Sequence, residues 1–130
     1  MKRTKSKVLA MLLAVGVLCA GTVTALGNTE TRMIDGVSFT ATTQITETSA
    51  FAQTVSGSTK LITSVDATYY YVHETSHTMK YSSAADNGRM SSSVTFSVPD
   101  LDTYESYDIS ANHTAETSNE SWSGSTYEKY

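Results

Sequence analysis

Apolar side chains return at every second position in four separate runs of this 130-residue chain, the spacing of an extended strand with one buried face. Val37, Phe39, Ala41 and Ile45 share a face in the first run, and Leu61, Val65, Ala67, Tyr69 and Tyr71 in the second. Met90, Val94, Phe96 and Val98 alternate with polar residues in the third, which Pro99 ends because it has no N–H to give to a ladder. Tyr107, Ile109, Ala111, His113 and Ala115 form the fourth. Segments 48–56 and 121–130 carry the same pattern more weakly. Composition agrees: beyond position 25, 36 residues are Ser or Thr and eight are Tyr, whereas Leu occurs only at 26, 61 and 101, which is a strand composition.

Turn chemistry falls between the runs. Asp35-Gly36 separates Arg32-Met33-Ile34 from the Val37 run and is a two-residue hairpin signal, since both positions of such a turn need positive φ. Ser56-Gly57-Ser58 and Asp86-Asn87-Gly88 read as further turns. With no helix-length amphipathic stretch between them, these runs predict an all-β fold: a small antiparallel β-sandwich of about seven strands, immunoglobulin-like in layout but without the Cys-Trp-Cys signature of immunoglobulin domains. Val37, Phe39, Ile45, Leu61, Val65, Ala67, Val94, Phe96 and Ile109 are expected to make one core.

The N-terminus follows a different logic. Lys2, Arg3, Lys5 and Lys7 precede an apolar run over residues 8–20 and then small residues, the order of a secretory signal peptide. Val23-Thr24-Ala25 places small residues where a signal peptidase reads, so cleavage is expected after Ala25, with Ala20-Gly21-Thr22 as the alternative. Cys19 is not expected to be lipidated, because the preceding Leu18 is bulky. The expected organisation is a signal peptide over residues 1–25 and one β-sandwich domain over 26–130, secreted from a bacterial-type cell and released or held at its surface. Cleavage removes the lone cysteine, so no disulfide can form within the domain. It also leaves five basic against thirteen acidic side chains, a net charge of −8. Such a charge repels phosphate, and neither nucleic acid nor, after cleavage, a membrane is an expected partner.

One motif carries recognisable chemistry. His73-Glu74-Thr75-Ser76-His77 is H-E-x-x-H and resembles the zincin metallopeptidases. That resemblance implies His73 and His77 as zinc ligands and Glu74 as the general base, with Glu105, Asp108 or His113 as candidates for a third ligand. The motif works on a helix, where residues four apart share one face. Here it follows Tyr-Tyr-Tyr-Val and is filled with Thr and Ser, poor helix formers. On a strand the two histidines would stand roughly 13 Å apart, too far to share one ion. Residues 73–77 are therefore expected to end one strand and loop into the next, with no catalytic, cofactor-binding or metal residue assigned. The acidic stretch Asp100, Asp102, Glu105 and Asp108 lacks a calcium-loop pattern and reads as a solvated loop and strand edge.

Eight tyrosines and Trp122 suit either cross-strand packing or a wet carbohydrate- or peptide-binding surface. Alternation turns Tyr70 away from the face of Tyr69 and Tyr71. The expected function is binding or interaction with a protein or carbohydrate at the cell exterior, or an exported effector role, without catalysis and without a cofactor. A minimal zinc peptidase built on His73, Glu74 and His77 is the alternative.

Overall fold

The computed structural model describes residues 26–130; the expected signal peptide lies outside the described residues. Eight strands follow one another: β1 (Leu26–Ile34), β2 (Val37–Ile45), β3 (Ser49–Ser56), β4 (Ile62–His73), β5 (Met79–Arg89), β6 (Ser91–Ser97), β7 (Tyr104–Glu116) and β8 (Ser121–Lys129). They form two antiparallel four-stranded sheets, ordered β1-β2-β3-β6 and β5-β4-β7-β8. Their inner faces bury the alternating apolar residues between them, as a β-sandwich does.

The first hairpin turns as its sequence predicts. Asp35 and Gly36 have φ of 48° and 75° and connect Ile34 to Val37, which lie opposite each other in the ladder. The chain returns from the second sheet to the first between β5 and β6 through one residue. Met90 takes φ 75°, its carbonyl accepts the Ser56 N–H at 2.8 Å, and its own N–H donates to the Leu61 carbonyl at 2.9 Å. Gly88 belongs to the same corner, because a Cβ there would stand 2.7 Å from the Ser91 carbonyl oxygen. Side chains also tie one sheet to the other. Asn28 Nδ2 donates to the Tyr127 carbonyl at 3.3 Å from β1 to β8, and the Asp86 carboxylate accepts the Ser93 N–H at 2.9 Å from β5 to β6.

Four expectations need correction. The strands number eight, not about seven, and the additional one is β5. Its pattern is exposed along most of both faces, so no apolar alternation marks it. Asp86-Asn87-Gly88 lie inside that strand, paired with Val65, Ser64 and Thr63, and the bend comes at Met90 instead. The strand order is not that of an immunoglobulin constant domain, where the second strand pairs with the fifth; here β1, β2 and β3 form a consecutive meander. In β7 a bulge between the partners of Tyr70 and Tyr71 inserts Tyr107, so the buried position next to Ile109 belongs to Ser106.

The nine expected core residues are all buried, but in two clusters. Ile45, Val65, Ala67, Val94, Phe96 and Ile109 belong to the larger, together with Tyr69 and Tyr71. Val37, Phe39 and Leu61 belong to the smaller, with Ile34 and Ala115 and with Trp122 packed against it. Between the clusters each of six strands contributes one buried polar residue: Thr43, Thr54, Thr63, Ser92, His113 and Thr126. In β7 the inward sequence is Ala111, His113, Ala115, so the imidazole sits where the apolar alternation passes from one cluster to the other.

Candidate functional site

The H-E-x-x-H segment forms the β4–β5 hairpin loop. His73 is the last residue of β4, Glu74 to Ser76 make the turn, and His77 takes the left-handed conformation at φ 58°. The His73 N–H donates to the Thr78 carbonyl at 3.0 Å, and the His77 N–H to the His73 carbonyl at 2.8 Å. His73 Nδ1 accepts the amide N–H groups of both Thr75 and Ser76 at 3.2 Å, so this lone pair organises the turn. The ring meets Tyr104 edge-on, with centroids 5.2 Å apart. The helix that gives zincins their converging histidines is replaced here by a strand end and a tight turn.

The candidate third ligands are dispersed. His113 is in the core, Asp108 lies opposite Tyr70 on the outer face of the second sheet, and Glu105 pairs with Val72. Among the described residues no three His, Cys, Asp or Glu side chains converge as a metal site would require. In the acidic stretch, Asp100 builds its own loop: its carboxylate accepts the Asp102 N–H at 3.0 Å and the Thr103 hydroxyl at 2.7 Å. Those bonds, the backbone one first, hold its carboxyl below the usual range.

His113 is fully buried and bonded on both ring nitrogens. Nδ1 lies 2.8 Å from Thr54 Oγ1 and Nε2 lies 2.7 Å from Thr126 Oγ1. The Thr54 hydroxyl donates its single proton to the Ser64 carbonyl at 3.0 Å, so it must accept from Nδ1–H. This assigns the tautomer: Nδ1 carries the proton and Nε2 accepts from Thr126. Removal from water dominates the electrostatics and pushes the imidazole pKa down to about 4, partly countered by the negative charge of Glu30. A neutral imidazole holding three strands together acts as a structural cross-link.

The tyrosines divide by face. Tyr69 and Tyr71 point inward, and Tyr69 stacks on Phe96 with ring centroids 5.4 Å apart and donates to or accepts from Ser106 Oγ at 2.8 Å. Burial raises the Tyr69 phenol pKa far above its ordinary value, so the ring remains uncharged. Tyr70 points outward, as alternation predicts, directly opposite Tyr81 of β5, with ring centroids 5.7 Å apart and planes tilted by 39°. On its other side Tyr70 faces Asp108 of β7. The Asp108 carboxylate accepts the Tyr127 hydroxyl of β8 at 3.0 Å, which, more than the nearby negative charges, raises the Tyr127 pKa.

In register the row across all four strands is Tyr81, Tyr70, Asp108 and Lys129, while Tyr127 stands in the next row, opposite Ser110, and reaches Asp108 through its hydroxyl. The rings remain 64%, 36% and 49% exposed for Tyr81, Tyr70 and Tyr127. At its rim the Lys129 ammonium lies 4.7 Å from the centre of the bulged Tyr107 ring. Alternation marks Tyr70 as outward but does not mark its companions. Asp108 enters only through the bulge, and Tyr127 lies in the weakest alternating segment.

Beside Tyr127 the next row is small and polar: Ser83, Thr68 and Ser110. Aromatic faces beside a carboxylate and hydroxyls give a ligand both an apolar plane to stack on and acceptors for its hydroxyl protons. No model of a known protein family matches the chain, and no curated protein is found to be similar to it.

Proposed function

We propose that the chain is a non-enzymatic binding domain, exported by its first 25 residues, that takes a saccharide on the outer face of the β5-β4-β7-β8 sheet. The observation that carries this reading is the patch in which Tyr81 and Tyr70 stand in register with Asp108 and Tyr127 bonds that carboxylate from the next row, three exposed rings around one carboxylate. A pyranose has apolar C–H faces and a hydroxyl rim, so aromatic planes and a carboxylate acceptor match both parts. The rings sit on paired strands instead of a mobile loop, which reduces the ordering cost of binding. The negative charge of the chain favours a neutral or cationic glycan over an anionic one.

The test is a binding assay on insoluble cell-wall glycans, cellulose and chitin, followed by titration with soluble oligosaccharides of whichever polymer retains the protein. Tyr70→Ala and Tyr81→Ala are expected to weaken retention by about tenfold or more, since stacked aromatic anchors carry most of the energy of such surfaces. Asp108→Asn keeps an acceptor oxygen and is expected to weaken it less. Failure to bind any of these polymers, or equal binding by a Tyr70→Ala/Tyr81→Ala double variant that unfolds like the wild type, would reject the proposal.

A further inference from the structure

The opposite end of the same sheet face holds a second feature, independent of the tyrosine patch. Ile62, the first residue of β4, is 42% exposed and lies between Arg89 at the end of β5 and Glu116 at the end of β7. These three residues line an open cleft of about 570 Å³ together with Asp35 and Lys60. That volume is in the range of a small-molecule site.

Hydrogen bonds sort the four charges onto two sides. Arg89 Nη1 donates to the Thr59 carbonyl at 2.9 Å, which draws the guanidinium toward the β3–β4 loop that also carries Lys60. Asp35 Oδ2 accepts from Thr117 Oγ1 and Asn119 Nδ2, each at 3.1 Å, and its N–H donates to Glu120 Oε1. These contacts hold the first hairpin turn against the β7–β8 turn, which directly follows Glu116. One wall is therefore cationic, the other anionic, with the exposed Ile62 between them. Neither Arg89 nor Lys60 forms an ion pair with Glu116 or Asp35, so the two walls do not neutralise each other.

From this arrangement we infer that the cleft binds a zwitterion of dipeptide length, its carboxylate toward Arg89 and Lys60 and its ammonium toward Glu116 and Asp35. Among the residues that line the cleft two cations face two anions, an arrangement that favours a ligand carrying both charges over a simple anion or cation. The length follows from the ladder. Arg89 and Glu116 flank one strand, so their backbones lie about 9.5 Å apart. An extended dipeptide spans about 7 Å, which leaves each terminus within side-chain reach of its wall. A single amino acid, with its charges separated by one carbon, reaches only one. The exposed Ile62 side chain supplies an apolar floor for small side chains.

The experiment titrates the purified protein with Ala-Ala, N-acetyl-Ala-Ala, Ala-Ala amide and glycine, following backbone amide resonances by NMR. Saturable shifts at Ile62 and Ser118 are expected with Ala-Ala. Each blocked peptide and glycine are expected to bind at least about tenfold more weakly, because each lacks or misplaces one charge-assisted contact. Arg89→Gln and Glu116→Gln are exposed-surface changes expected to keep the wild-type spectrum elsewhere and to lose the Ala-Ala response. Tyr70→Ala, at the far end of the face, is expected to leave it unchanged. Absence of saturable shifts with Ala-Ala, or equal binding of the acetylated peptide, would overturn the inference.

Discussion

The imidazole of His113 joins the hydroxyl of Thr54 from one sheet to the other, Nδ1 to Oγ1 at 2.8 Å, with Thr126 on its second nitrogen. Both threonines are buried, and the charged group that acts on the ring is Glu30 of β1, itself paired with Arg32. The remaining residues of the belt, Thr43, Thr63 and Ser92, carry no charge. The ring is therefore built to be neutral.

Acid should weaken the protein through this residue. An unfolded chain protonates a histidine near pH 6.5, whereas folded His113 does so only near 4. Between those values the unfolded state alone holds the proton, so stability is complete above about pH 6.5 and falls as pH drops toward 4. The loss reaches at most about 3 kcal/mol. Urea titrations at pH 7 and 4.5 measure it, and His113→Gln should flatten the slope in that window. An unchanged slope in the variant would assign the acid sensitivity to other groups.

Removing a core ring and removing a surface ring should differ sharply. Phe96 is 9% exposed and stacked on Tyr69, so Phe96→Ala is expected to cost about 3 to 5 kcal/mol. Tyr70→Ala should cost under about 1 kcal/mol, because its neighbour Tyr81 is also exposed. Comparable losses in reversible denaturant titrations would show that Tyr70 supports the fold and is not available for binding.

Where one face of a strand is buried and the other wet, the sequence is legible, and β2 illustrates this: its residues 37–45 read as a strand with the observed boundaries. β5 was not legible, because an edge strand with little burial needs no apolar alternation and its Asp-Asn-Gly resembles a turn. Met90 hid the true corner, since a left-handed non-glycine residue has no reliable local signature and is held here by bonds to Ser56 and Leu61 from distant parts of the chain. Alternation placed His113 on the inner face but could not supply Thr54 and Thr126, which come from two other strands. The tyrosine patch failed to show for the same reason: Tyr70 and Tyr81 become neighbours only through register, and Asp108 only through the bulge at Tyr107.

Gly124 should resist even the smallest substitution. The Trp122 indole lies over it and packs on Phe39 with ring centroids 5.0 Å apart and planes at 59°. A Cβ at position 124 would overlap that indole, so Gly124→Ala must push the ring off Phe39, at an expected cost of about 1 to 3 kcal/mol. Trp122 is the sole tryptophan, and a shift of its emission toward that of exposed indole would report the displacement directly. Wild-type emission and stability in the variant would contradict this packing.

Export makes a simple prediction about the chain ends. If residues 1–25 are a cleaved signal, intact-mass measurement of protein from the culture medium should begin at Leu26. Recovery of the chain with Met1 in the membrane fraction would reject it.

Zinc should not stabilise the folded protein. A metal bound to the native state alone raises stability by mass action, by about 2.7 kcal/mol when it is present at a hundred times its dissociation constant. His73 offers no free Nδ1 lone pair for this purpose, because Thr75 and Ser76 both donate to it, and His77 occupies the left-handed position that closes the turn. Ligation through Nε2 would still have to bring together two rings displayed by a turn, without the helix that aligns them in zincins. The thermal midpoint is therefore expected to be the same with zinc and with chelator. His73→Ala should instead lower stability by about 1 kcal/mol, the worth of a lost turn-capping hydrogen bond, whether or not metal is present. A zinc-dependent rise in the midpoint that disappears in His77→Ala, together with peptide cleavage abolished by Glu74→Gln, would restore the peptidase alternative and show that the loop rearranges to bind metal.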